Sequence, residues 1–252
     1  MEAVVTLPGG VRSYEEIRAE VEAEKNRREA LDYDPSRYSW PSVTVDVVLF
    51  TVQDGDLKVL LVVRRGWPFR GRWALPGGFV QIAQEEELDQ AALRELQEET
   101  GVSDVYLEQL RTFGHPARDP RGRVITVAYY ALVACEHLAL AAGSDADETG
   151  WFSVYRLPAL AFDHDRILNR ALVRLRERIW DSSVACQLVS EKFTLTALQA
   201  TYEVILDKRL DKRNFRKKIL SSEVLEETGE TWREGRHRPA RLYRFRVLRP
   251  ED

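Results

Sequence analysis

Cysteine is scarce in this 252-residue chain: there are two, Cys135 and Cys186, far apart in sequence. That excludes a disulfide framework and a cysteine-rich zinc site, and it suits a reducing compartment. Long apolar runs are missing as well. The most apolar stretch, Val43 to Val52, is interrupted by Asp46 and is too short to cross a bilayer. The opening MEAVVTLPGG has no basic segment followed by an apolar one, so no signal peptide is expected and a cytoplasmic protein is the reading. No internal repeat or low-complexity tract occurs. With 44% hydrophobic and 31% charged residues, the chain can bury the core of one large or two modest domains. Disorder, collagen and a coiled-coil rod are excluded.

Net charge is small, −4, but unevenly spread: residues 191–252 hold 15 Lys and Arg against 11 Asp and Glu, leaving −8 on the rest. A basic tail on an acidic body suggests two modules with different partners, one of them a polyanion.

Residues 13–31 read as a helix opened by a capping box, Ser13 with Glu16. Residues 42–64 are two β-rich runs joined by Asp54-Gly55-Asp56, the turn chemistry of a hairpin. A loop rich in Gly, Pro and aromatics then leads to a short strand near Trp73–Leu75, a helix over 86–100 closed by Gly101, strands at 104–113 and 124–134, and a final strand near Trp151-Phe152. The order is mixed α/β. From Asp165 to Trp180, Ile167, Leu168, Ala171, Leu172, Leu175 and Ile179 fall at helical spacing, which predicts a linker helix. Beyond it come helices at Thr194–Leu206 and Asp211–Ser221 and two strands over 223–248. Helix, short turn, helix, hairpin is the order of a winged helix.

Two segments carry chemistry. Glu95, Glu98 and Glu99 stand at i, i+3 and i+4 and share one helix face, with Leu93 and Leu96 expected to anchor that helix. Three crowded carboxylates either surround a hard cation, Mg²⁺ or Mn²⁺, or form a solvated acidic face with Arg94 and Glu98 paired. Gly77-Gly78 precedes the helix and leaves bare backbone for a phosphate to approach. Arg64, Arg65 and Arg70 offer guanidinium forks, and Trp73 an aromatic face, for a phosphorylated nucleotide; the alternative puts the tryptophan in the core and the arginines on the rim. In the tail, Asp211 caps a helix with Phe215, Ile219 and Leu220 inward and Arg213, Asn214, Arg216 and Lys217 mostly outward, side chains suited to base edges in a major groove. Arg236, His237 and Arg238 at the hairpin tip could clamp phosphates or enter a minor groove.

With Gly78, Glu86, Arg94, Glu95, Leu96, Glu98, Glu99, Gly101 and Val102 in place, the sequence resembles the Nudix hydrolase family, except that seven residues, not five, separate Gly78 from Glu86. The resemblance implies an α/β/α sandwich with a mixed sheet. It also implies Mg²⁺ held by Glu98 and Glu99 with Glu95 in support, Arg94 orienting the carboxylates, and Glu148 as an additional ligand or base. Together with the tail, including Phe193-Thr194-Leu195 and Gly235-Arg236-His237-Arg238-Pro239-Ala240, the chain resembles the Nudix-related transcriptional regulators, in which a Nudix domain senses ADP-ribose or a related metabolite and a winged helix binds operators. The organisation expected is an N-terminal helical extension (1–38), a Nudix domain (39–162), a linker helix (163–182) and a winged helix-turn-helix domain (183–252). Two readings stand side by side: a regulator with a nucleotide-type effector, and a Mg²⁺-dependent ADP-ribose pyrophosphohydrolase with a C-terminal interaction domain. A single winged helix reads a short site, so a homodimer on an inverted-repeat operator is expected.

Overall fold

The computed structural model describes residues 13–24, 39–84, 86–138, 149–233 and 239–246. The chain divides into two units, Met1–Trp40 and Pro41–Asp252. In the first, helix α1 (Tyr14–Glu24) is opened by a reciprocal cap: the Ser13 amide donates to Glu16 Oε2 at 2.7 Å and the Glu16 amide to Ser13 Oγ at 3.2 Å.

The second unit is built on a seven-stranded mixed sheet. Strands β1 (Ser42–Gln53) and β2 (Asp56–Val63) form the expected hairpin, with Asp54 and Gly55 at positive φ in the turn. The central path runs β3 (Trp73–Ala74), β2, β1, β6 (Val124–Leu132), β5 (Tyr106–Phe113); β4 (Gly77–Phe79) pairs with β1 and β7 (Thr149–Ser153) with β2. Only β1 and β6 run parallel among these pairs.

Alternation along β1 assigns its two faces. Val45, Val47 and Leu49 point to the helix α2 (Leu88–Thr100), where Ala91, Ala92 and Leu96 bury against them. Val48 and Phe50 point to the other side and meet Ile167, Leu168, Ala171 and Leu175 of a later helix. The result is an α/β/α sandwich. Leu93, expected to help anchor α2, is 40% exposed; two alanines take its place, because small side chains let the helix lie close to the sheet.

After the short helix α3 (Cys135–Leu138) and β7, helix α4 (His164–Arg178) crosses the sheet. The segment read as a linker does more than connect. Its inner face belongs to the same apolar cluster as Leu198, Tyr202, Ile205, Phe215 and Ile219 of the C-terminal region, so the two cores meet across it. A one-turn helix α5 (Ser182–Ala185) follows. Then come β8 (Phe193–Thr194), α6 (Leu195–Leu206), α7 (Lys212–Ser221), β9 (Leu225–Trp232) and β10 (Ala240–Phe245), with the sheet ordered β8-β10-β9. Thr194 Oγ1 caps α6 by accepting from the Ala197 amide, and Asp211 caps α7 by accepting from the Asn214 amide at 2.8 Å. This is the winged-helix order. Leu220, expected inside, is 46% exposed, since Phe215 and Ile219 already fill the inner stripe. Among the described residues no helix is long and apolar enough to cross a membrane.

Candidate functional site

The turn from β3 through β4 meets the N-terminal half of β1 and one face of α2. Gly77 pairs with Asp46, and Gly78 with Val45. Both glycines are needed for proximity. A Cβ on Gly77 would stand 2.2 Å from the Val45 carbonyl oxygen, and one on Gly78 would stand 2.4 Å from Glu95 Oε1. The bare backbone expected to admit a phosphate thus first admits a neighbouring strand and a carboxylate. The sequence reading missed β4 because two glycines are poor strand formers and the pairing partner supplies the order.

Arg94 organises the acids of α2. Its Nε and Nη2 each lie 2.9 Å from a Glu86 carboxylate oxygen, and its Nη1 reaches Glu95 Oε1 at 2.9 Å and Glu98 Oε2 at 3.2 Å. Glu86 also accepts from the Gln81 amide, and the Arg94 fork above all holds its carboxyl below the usual range. The extra residues before Glu86 are taken up by a short 3-10 turn, Ile82–Gln84, so the Glu86–Arg94 pair closes despite them.

Glu99 stands apart from this network. Its Oε2 accepts from the Gly77 amide at 2.9 Å, and it keeps contact with solvent at the mouth of the cleft. Protein packed around the carboxyl, together with Glu95 and Asp46, pushes its pKa up to about 7 against the pull of the Gly77 amide. Crowded acids of this kind gain from a cation. Among the described residues no three His, Cys, Asp or Glu side chains converge on one point, since Arg94 draws Glu95 and Glu98 to itself. The donor set is all carboxylate oxygen, which fits a hard divalent ion.

Beside Glu98 and Glu99 opens a cavity of about 480 Å³ lined by Arg64, Arg65 and Gly77; Arg64 and Gly77 also line a neighbouring recess of about 220 Å³ with Asp46, Phe79, Arg118 and Arg121. Arg64 lies with its guanidinium carbon 4.6 Å above the Phe162 ring, and its Nε donates to the Pro68 carbonyl at 2.9 Å. Burial and the nearby Arg121 lower its pKa. Arg121 is held bidentate by Asp119 and lies over Phe79 at 5.0 Å. Two guanidiniums that repel each other across a cleft beside bare backbone suit an anion between them. A wider hollow of about 910 Å³ near Ser183 and Cys186 lacks this arrangement, its Arg244 being paired with Glu226.

The floor of the recess is a buried polar network that the sequence reading missed. Arg118 Nη2 reaches Asp163 Oδ1 at 2.8 Å and Asp46 Oδ2 at 3.4 Å. His164 Nδ1 accepts from the Leu75 amide at 2.8 Å, and its Nε2 stands 3.6 Å from Asp46 Oδ1. Burial lowers the His164 pKa, so the ring is neutral with its proton on Nε2, facing Asp46. The one signal for this network was Asp46 inside an apolar run. Asp163 precedes and His164 begins α4, so the glycine turn is tied to that helix directly.

Of the other expected ligand residues, Arg70 is exposed and lines neither cavity, and Trp73 packs edge-on against Phe152 at 4.6 Å. On the C-terminal module, Arg213, Asn214 and Lys217 are exposed on α7. Arg216 is half-buried: its Nη2 lies 3.4 Å from Thr196 Oγ1 and its Nε is buried without a partner among the described residues. Glu148, Arg236, His237 and Arg238 lie outside the described residues.

Helix α4 reaches this module. Arg176 Nε donates to the Ile205 carbonyl at 2.8 Å, and Trp180 meets Tyr202 at 4.8 Å and Phe215 at 6.2 Å between ring centroids. The Lys218 ammonium lies 3.3 Å over the Trp180 ring.

Comparison with known proteins agrees with this layout. Residues 40–171 match the NUDIX domain family and residues 185–245 the NrtR DNA-binding winged helix domain. The chain is 39% identical to the ADPR responsive transcriptional repressor NtrR of Acinetobacter baylyi, over 84% of this chain and 85% of that protein. Shewanella oneidensis NrtR complexed with a 27mer DNA is 41% identical with a TM-score of 0.71, over 81% of this chain and 93% of that one. The NUDIX domain of the same protein complexed with ADP ribose is 40% identical with a TM-score of 0.50, over 61% and 98%. This chain therefore belongs to the Nudix-related transcriptional regulators, which join a Nudix domain and an NrtR-type winged helix in one polypeptide.

Proposed function

We propose that this protein is an ADP-ribose-responsive repressor: its Nudix domain binds ADP-ribose or a related nucleoside diphosphate derivative, and occupancy lowers the affinity of its winged helix for operator DNA. The observation that carries the reading is the placement of α4. Asp163 and His164 at its start bond to residues of the effector cleft, and Arg176 near its end bonds to α6. Arg64 and Arg121 would hold the diphosphate, with the cleft beside Gly77 receiving one sugar. On DNA, Arg213, Asn214 and Lys217 would face the major groove, and Arg236, His237 and Arg238 the backbone. The functional species would be a homodimer on an inverted repeat, divided near residues 38, 162 and 182 into extension, Nudix domain, α4 connection and winged helix.

Calorimetric titration of ADP-ribose into the full chain tests the effector site. Saturable binding, weakened at least about tenfold by Arg64→Ala with Arg121→Ala, is expected from the loss of charge-assisted hydrogen bonds to phosphate. Absence of saturable binding to the wild type rejects the reading.

A second activity has its own observation, the intact Glu95, Glu98 and Glu99 on one face beside the cleft. These residues would hold Mg²⁺ or Mn²⁺, with Glu98 and Glu99 as direct ligands. The ion, when bound, would neutralise diphosphate charge and supply an activated water. The chain's own contacts support this reading: Arg94 hydrogen-bonds Glu95 and Glu98, the Gly77 amide donates to Glu99, and Gly78 leaves room for Glu95.

A further inference from the structure

Beyond Arg118 and Phe162 the effector recess adjoins a second chamber of about 550 Å³, whose wall also includes Phe69, His115 and Arg166. Its size falls within the usual range for small-molecule sites, about 300–1,000 Å³. Phe162 and Arg118 line both spaces. The Phe162 φ of 51° lies in the left-handed region, which costs a phenylalanine energy, and its ring meets Phe69 edge-on at 4.9 Å; Phe69 has φ 61°. Two aromatic residues at positive φ, from separate loops, thus pack together in the wall of the second chamber.

The far end of this chamber shares His115, Asp163 and Arg166 with a hollow of about 360 Å³ that also contains Arg111 and Arg170. Arg166 and Arg170 stand at i, i+4 on the first turns of α4. Among the described residues neither has an ion pair or a side-chain hydrogen bond, whereas Arg174, Arg176 and Arg178 on the same helix are all engaged. Arg111 lies over the Phe113 ring at 4.9 Å, and Asp163 is taken by Arg118. Asp165 lines the chamber rather than the hollow. Uncommitted guanidiniums, Arg166 exposed and Arg170 half-buried, in a hollow that shares its wall with the space beside the diphosphate clamp are suited to a further phosphate.

We infer that Arg166 and Arg170 form an anion subsite for an additional phosphate on the effector, so that the chamber takes one nucleoside and the hollow takes a phosphate on its ribose. The inference rests on the ADP-ribose reading and refines its ligand class to nucleoside diphosphates that carry a further phosphomonoester.

The test compares ADP-ribose with ADP-ribose 2′-phosphate by calorimetry on the full-length protein, in low salt and without divalent ions. The wild type is expected to bind the phosphorylated ligand at least about tenfold more tightly, a factor typical of one charge-assisted phosphate contact. Arg166→Gln with Arg170→Gln is expected to abolish that preference and leave ADP-ribose affinity within about twofold. The wild-type comparison stands on its own if the variant folds poorly. Equal affinities in the wild type, or a preference that survives in the variant, would overturn the subsite. Equal loss of operator binding by the variant without any effector would overturn it too, by giving these arginines to DNA. Failure of both ligands to bind would reject the effector reading along with it.

Discussion

A methyl group on Gly77 would lie 2.2 Å from the Val45 carbonyl oxygen and 2.9 Å from the Asp46 Cα, at a φ of 155° that side chains disfavour. Backbone cannot retreat as a side chain can, so Gly77→Ala should destabilise the domain by about 3 kcal/mol, read as a lower urea midpoint. At Gly78 the obstacle is the end of a flexible Glu95 side chain. Gly78→Ala should leave the midpoint within about 1 kcal/mol and instead weaken divalent-ion binding. Equal destabilisation by both changes would contradict this division. Glu98→Gln with Glu99→Gln should abolish Mg²⁺-dependent release of AMP from ADP-ribose with the fold intact by circular dichroism. A wild type that releases none across a panel of nucleoside diphosphate derivatives would leave these glutamates a structural and binding role only. His164 gives a pH signature. Burial lowers its pKa, so the unfolded chain takes up a proton before the folded one does. In a Glu99→Gln background, which removes the opposing contribution of the raised Glu99 carboxyl, stability should therefore be flat above the ordinary histidine value of about 6.5 and fall as pH drops below it. His164→Asn should flatten that limb between about pH 6.5 and 5, above the range in which ordinary carboxylates titrate. An unchanged slope would mean the ring is not held neutral.

Helix α7 separates two roles that its composition merges. Arg213 is exposed and Arg216 leans on Thr196 of α6. Arg213→Ala should lower specific operator affinity by about 1–3 kcal/mol at unchanged melting temperature. Arg216→Ala should lower the melting temperature of the module as well, and a pure affinity effect from it would refute its supporting role. The contrast shows what the sequence made legible. Helical spacing exposes every position off the Phe215–Ile219 stripe, yet it cannot say that the neighbouring helix reaches one of them. Likewise the carboxylate face of α2 and the fold order were readable from spacing and caps, because both are local. Strand β4, the Phe69–Phe162 contact and the Asp46–Arg118–Asp163–His164 network were not. Each joins residues far apart in the chain, and isolated charges in a loop such as Arg118-Asp119-Pro120-Arg121 look like solvated surface until the sheet brings Asp46 beneath them.

At the scale of the molecule, α4 belongs to one apolar cluster that contains both the sheet and the winged-helix core. An effector that draws on Arg118 or the glycine turn acts on Asp163 and His164 at the start of that helix, while Trp180 just past its end is enclosed by Tyr202, Phe215 and Lys218. Binding changes DNA affinity only if ligand distinguishes the DNA-competent arrangement from another, and the linkage is reciprocal. The decisive measurement is the operator dissociation constant with and without saturating ADP-ribose, using the Glu98→Gln, Glu99→Gln variant so that turnover cannot consume the ligand. A rise in the operator dissociation constant of about 5- to 150-fold, matched by the same factor in the ADP-ribose constant measured with and without operator, is the expected result. An unchanged operator constant at full occupancy of the Nudix site would contradict the account.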